Sequence, residues 1–202
     1  TNLTRTFFKF LIGLIDTVDQ GTRWVPAWTP SNIKRTFYHM SVELARLYWG
    51  LPAGSIQVEG DRLSFKKADG SIQASIPLRE RQLVEINWFT QWYSPRNAHA
   101  EFSTVYKFAE ALNSGDPELR KAGKEFFAQD EFKDAVVLIG PVDRLLQDIA
   151  PTSLDDEPVP RVGVHGNMLK TIVSGQFLSH LSEQTNYLIV FGLTVVITTL
   201  SI

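Results

Sequence analysis

"NYLIVFGLTVVITTLSI", running from Asn186 to Ile202, decides how the rest of the chain is read. No charged residue occurs from Gln184 onward, and ten of the sixteen residues from Tyr187 to Ile202 are Leu, Ile, Val or Phe. As an α-helix those sixteen residues rise about 24 Å at ~1.5 Å each. That is short of a hydrocarbon core of about 30 Å, by an amount that local thinning of a bilayer absorbs. Each apolar side chain favours insertion by roughly 0.3–0.6 kcal/mol, against which stand three threonines, a serine and a glycine. The competing form is one long strand bent at Gly192, which the β-branched residues suit. A strand buried on both faces calls for a parallel sheet covered by helices, and the chain shows no strand–helix alternation.

The expectation is therefore a C-terminal single transmembrane helix. Its anchor residues are Tyr187, Leu188, Ile189, Val190, Phe191, Leu193, Val195, Val196, Ile197 and Leu200. Tyr187 marks the near interface. Arg161 and Lys170 are the nearest basic residues, and the positive-inside tendency puts the large domain of a single-pass membrane protein on the cytoplasmic side.

Upstream, the period of the apolar residues changes twice. Residues 4–19 repeat at helical spacing, with Phe7, Leu11, Leu14, Ile15 and Val18 on one face. "RWVPAWTPSN" (23–32) reads as an extended, proline-stiffened loop, and a helix follows from Asn32 to about Trp49, stopped by Gly50. Residues 55–77 alternate apolar and polar around Gly60–Asp61 and Asp69–Gly70, the signature of tight hairpins. They predict a three-stranded antiparallel meander with Ile56, Val58, Leu63, Phe65, Ile72 and Ile76 facing a core. After Pro77, "LRERQLVEINWFTQWYS" fits both periods and is assigned as a helix because it opens with a charged turn. Helices are expected at about 97–113, 116–128 and 130–149, with Asp116–Pro117 as a cap and first-turn pair.

The fold class expected is α+β, mainly α-helical. A helical domain with its inserted meander covers 1–149. A proline-rich acidic linker and glycine loop cover 150–166, and a helix with the membrane anchor covers 167–202.

There is no cysteine, which excludes disulfides, thiolate metal sites and cysteine nucleophiles. The net charge is −2, with residues 1–50 carrying six Lys/Arg against three Asp/Glu and 101–150 carrying six against ten. Neither end has the clustered Lys/Arg of a nucleic-acid footprint, so no nucleic acid is expected as a partner. His39 and Glu43 share one helical face, and His99 with Glu101 would complete a metal-ligating quartet. The set lacks the paired spacings of zinc-protease and di-iron helices, so no metal, cofactor or catalytic residue is assigned. Trp24, Trp28, Trp88 and Trp92 are interface candidates, because tryptophan concentrates at contact centres and membrane interfaces.

These features describe a non-catalytic, membrane-anchored subunit or scaffold component, with the lipid bilayer and other protein subunits as partners. An enzyme on a lipid-soluble substrate, using His39, Glu43, His99 and Glu101, is one alternative. A shell or capsid-type protein whose C-terminal run pairs between subunits is the other.

Overall fold

The computed structural model describes residues 22–30, 36–129, 132, 135–146 and 148–200. The helix expected at 4–19 lies outside them. In chain order come β1 (Trp24–Pro26), β2 (Trp28–Pro30), β3 (Thr36–Tyr38), α1 (Met40–Tyr48), β4 (Ile56–Glu59), β5 (Arg62–Lys66), β6 (Ile72–Pro77) and β7 (Leu83–Glu85). Then follow α2 (Phe102–Leu112), α3 (Pro117–Phe127), a 3-10 turn (Arg144–Leu146), β8 (Ile149–Ala150), β9 (Val159–Pro160), α4 (Arg161–Ser174) and α5 (Glu183–Leu200). All pairing is antiparallel: β1 with β7, β2 with β3, β8 with β9, and the meander β4-β5-β6. The molecule is thus mixed α/β with several small sheets, and the mainly helical class expected from the sequence is corrected.

The meander follows the sequence pattern closely. Glu59 pairs with Arg62 across a two-residue turn, which Gly60 enters at φ +59°, a conformation glycine adopts without strain. Leu63, Phe65, Ile76 and Ile56 are buried, while Ile72 is exposed. A register shift at Phe65/Lys66 takes the end of β6 off the alternation. Pro26 and Pro30 sit in β1 and β2 at no cost to a ladder, because each ribbon has only two strands and leaves an outer edge that needs no donor. Ala27 joins the ribbons: its N–H donates to Gln82 O (2.8 Å) and its carbonyl accepts from His39 N–H (2.8 Å).

One apolar cluster unites β1, α1, the meander, β7 and α4 through Val25, Val42, Phe65, Ile76, Val84, Ile86, Val164, Met168 and Ile172. Trp49 closes it edge-on to Phe65, with ring centroids 5.0 Å apart. The α2–α3 hairpin has an aromatic contact of its own: Phe108 stacks on Phe126 at 4.2 Å, and Phe132 packs against Phe126 and Phe127. Asp116 caps α3 by accepting from Glu118 N–H (2.8 Å).

The helix expected from Asn32 begins, among the described residues, only at Met40, because Thr36–Tyr38 pair with β2 as a strand and His39 becomes the N-cap. Four further expectations are overturned here. Residues 83–85 form a strand, not part of a helix, because Glu80 and Arg81 turn the chain at positive φ and β7 then pairs with β1. Residues 135–142 adopt no helix. Residues 161–166, expected as a loop, open α4. The transmembrane anchor is the fourth. Among the described residues no helix is long and apolar enough to cross a membrane. Glu183, Gln184, Thr185 and Asn186 occupy the first turn of α5, leaving fourteen residues (187 through 200), about 21 Å against ~30 Å of hydrocarbon. The single-pass, cytoplasm-facing placement loses its basis with it.

Two glycines give opposite predictions. A Cβ on Gly123 would lie 2.9 Å from the Phe108 carbonyl oxygen, backbone that has no room to yield. Gly123→Ala should loosen the α2–α3 hairpin by about 1–3 kcal/mol, less the ~1 kcal/mol that alanine returns as helix propensity. Gly192 has nothing within 4 Å, so Gly192→Ala should stabilise α5 locally by about 1 kcal/mol. Amide hydrogen exchange across each helix reads both.

Candidate functional site

His39 is the N-cap of α1, and its Nδ1 accepts the Ser41 backbone N–H at 3.1 Å. That bond settles the tautomer: a neutral ring whose Nδ1 accepts carries its proton on Nε2. His39 is 6% exposed, and Nε2 is buried without an acceptor. Across the contact, α4 presents His165, with ring centroids 5.0 Å apart and planes tilted by 36°. Ser41 ties the two helices together, its Oγ–H donating to the His165 carbonyl at 2.9 Å. The Nδ1 of His165 is also buried and unpartnered.

Both rings are held neutral. Burial, reinforced by His165, pushes His39 down to about 3. Burial also lowers His165, with Arg161 acting in the same direction and Asp148 against it. The junction therefore offers a buried N–H donor from His39 beside an imidazole nitrogen, with no net charge. A cation coordinated at His39 Nε2 would need the proton moved to Nδ1, which would break the Ser41 cap. The geometry suits a hydrogen-bond acceptor on a small polar group.

The polar seam continues along α4. Asn167 is buried, its Nδ2 donates to Gly163 O (3.0 Å), and its Oδ1 has no partner. Thr171 Oγ1 accepts from Asn87 N–H (3.0 Å) and donates to Asn167 O (2.8 Å). Trp88, the next residue after Asn87, has a buried, unpartnered Nε1. Trp92 lies over Gly163 so closely that a Cβ there would fall 2.8 Å from its ring. The acidic segment holds Trp92 in place: Asp155 Oδ1 accepts the Trp92 backbone N–H (2.8 Å), and Thr152 Oγ–H donates to Asp155 Oδ2 (2.8 Å).

Of the four metal-ligand candidates, the structure brings His39 to His165 instead of to the other three. Glu43 is engaged by Arg46 Nε at 2.6 Å. His99 packs on Trp92 at 4.1 Å, and Glu101 is the N-cap of α2 without a side-chain capping bond. Among the described residues no group of three or more His, Cys, Asp or Glu is placed to hold a metal ion. The tryptophans divide. Trp88 packs on the core and Trp92 on α4, while Trp28 Nε1 donates to Arg81 O (3.0 Å) and Trp24 stacks with His180. Sequence reasoning missed His165, Asn167, Thr171 and Asn87. The available signal was Val164, Met168 and Ile172 at helical spacing, masked by two nearby glycines.

The buried histidines predict an acid-sensitive fold. Between about 3 and 6.5 the unfolded chain protonates this imidazole and the folded chain does not. Stability therefore rises with pH across that window and is lost as pH falls through it, by at most about 1.4 kcal/mol per pH unit from His39. His39→Asn keeps a good N-cap and removes the titrating group. Urea midpoints plotted against pH should show a shallower acid limb in that variant, and a limb as steep as the parent's would contradict the assignment.

Comparison with known proteins yields one family. The model of the CHASE2 domain matches residues 10–199, nearly the full length of the chain. No curated protein and no solved structure matches it. With that span covered, the chain belongs to the CHASE2 domain family.

Proposed function

We propose that this chain is a non-catalytic sensory domain that registers a small polar molecule at the α1–α4 contact. The observation that carries the sensory part is the family match, since the CHASE2 domain is a sensory domain of extracellular type. The observation that supports the location is the buried His39 Nε2–H, which has no acceptor and faces His165 across the helix contact. Leaving a buried donor unpaired costs about 1–3 kcal/mol. A ligand oxygen that enters the junction recovers that cost, so binding and helix packing are coupled. The α4 helix is the natural carrier of the change, because it touches the histidine junction at one end and leads into α5 at the other.

Ring-nitrogen NMR of the two histidines tests this. Acetate, inorganic phosphate, glycine and zinc serve as probes, added singly to the whole chain. An acceptor-bearing probe should shift the His39 Nε2–H signal and raise the unfolding midpoint, by about 2.7 kcal/mol of stability at a hundredfold excess over Kd. His165→Ala should weaken that response about tenfold. Movement of His39 by zinc alone, or by none of the probes, would overturn the reading.

A further inference from the structure

The run from Ala135 to Val142 carries no charged residue and belongs to no helix or strand. Its burial nevertheless alternates. Leu138 and Gly140 are half-buried, while Val137 and Ile139 are exposed, Ile139 by 75%. That is the period of a strand with one covered face. The cover is α4. A Cβ on Gly140 would fall 2.7 Å from Val162 Cβ, and one on Gly166 would fall 3.5 Å from Leu138 Cδ1. Among the described residues no backbone hydrogen bond reaches Ala135 through Val142. Both edges of the run are open, and a β-branched, uncharged run with open edges is a template for another strand.

We propose that this run is a self-pairing strand, which joins two copies of the chain through an antiparallel ladder centred on Leu138. A second copy fits because the run is complementary to itself. Pairing about Leu138 sets residue 137 against 139 and residue 133 against 143. Val137 of one copy then covers Ile139 of the other, twice, on the exposed face, and β-branched cross-strand pairs of this kind are favourable. Each end of the ladder closes on opposite charges, Lys133 against Asp143. A centre at Val137 would set Glu131 against Asp143, and a centre at Ile139 would spend Val137 on Pro141. Proline also fixes which edge pairs. Alternate residues of an antiparallel ladder turn their N–H to the partner, and Pro141, which has none, belongs to the set that faces away. Val136, Leu138 and Gly140 therefore donate across the two-fold axis, Leu138 to its own copy and Val136 to Gly140, while Val137 and Ile139 point their N–H to the outer edge.

The pairing stands apart from the sensory reading, since it uses neither His39 nor His165. Eight residues a side put the contact at the low end of interface size, so sedimentation velocity on the whole chain should show a monomer–dimer equilibrium within roughly 1–300 μM. Val136→Pro takes a donor out of the ladder and should weaken the dimer by about a hundredfold or more. Val137→Pro puts the same ring on the outer edge and should weaken it by less than about tenfold, through its lost contact with Ile139. Neither substitution removes a hydrogen bond within the chain, so both variants keep the fold, which their urea midpoints check. The chain has no cysteine, so Val142→Cys carries one spin label per copy, four residues from the axis. At ~3.4 Å per residue the two labels should lie about 27 Å apart by pulsed electron-spin measurement. A dimer with that distance and that contrast between the prolines supports the pairing. A chain that stays monomeric across the range, a dimer that responds equally to both prolines, or labels far from that separation would overturn it.

Discussion

Burial of α4 on both an apolar and a polar face is the constraint from which the rest of the structure follows. Val164, Met168 and Ile172 go into the common core, while Asn167 and Thr171, one helical turn apart, are buried with them. A hydroxyl in that position is tolerated only if it is fully bonded. Thr171 meets the condition by accepting from Asn87 N–H and donating to Asn167 O. The segment after β7 is thereby fixed to α4 through its backbone, and Trp88 and Trp92 are placed along the helix. Gly163 is then required to be small, since the Trp92 ring occupies the space a side chain would need. The ribbon, the tryptophans and α1 are arranged around a helix whose polar groups leave them little alternative.

The same helix explains why the His39–His165 junction is uncharged. A buried ion with no partner is far more costly than a buried dipole, and burial is the first cause of the lowering at both rings. Ser41 spends its N–H on His39 and its Oγ–H on the His165 carbonyl. What remains unpaired at the contact is the ring edges themselves, His39 Nε2 and His165 Nδ1. At Glu85 the contacts are of another kind, with Arg23 and His180 standing beside the carboxylate.

Much of the meander was legible because its information is local. Gly60–Asp61 and Asp69–Gly70 fix the turns, and alternation then assigns Leu63, Phe65 and Ile76 to the core. The α3 start was legible for the same reason, from Asp116 and Pro117. β7 was not. Leu83, Val84, Glu85 and Ile86 are all buried, so neither period 2 nor period 3.6 describes them. A buried glutamate makes sense only with Arg23 and His180, which are sixty-two and ninety-five residues away in the chain. The candidate site was half legible. His39 stood out as a polar residue on a helical face, but its partner lay in a stretch that two glycines made look like a loop.

The C-terminal helix shows where composition and geometry part. Its threonines are not the interruptions that their polarity suggests. Thr194, Thr198 and Thr199 each donate to the carbonyl four residues back at 2.8 Å, so their hydroxyls present no unmet demand to the surroundings. The helix is nearly as apolar as its leucines and valines make it, but among the described residues its apolar part is held to 187–200, because Glu183, Gln184, Thr185 and Asn186 take up its start. Those four residues are also where the chain leaves the body. Ser182 caps the helix just beyond His180, so the polar first turn joins α5 to the segment held on Glu85 in place of extending the apolar run. The residues that cost the helix its reach are the ones that give it a fixed point of departure.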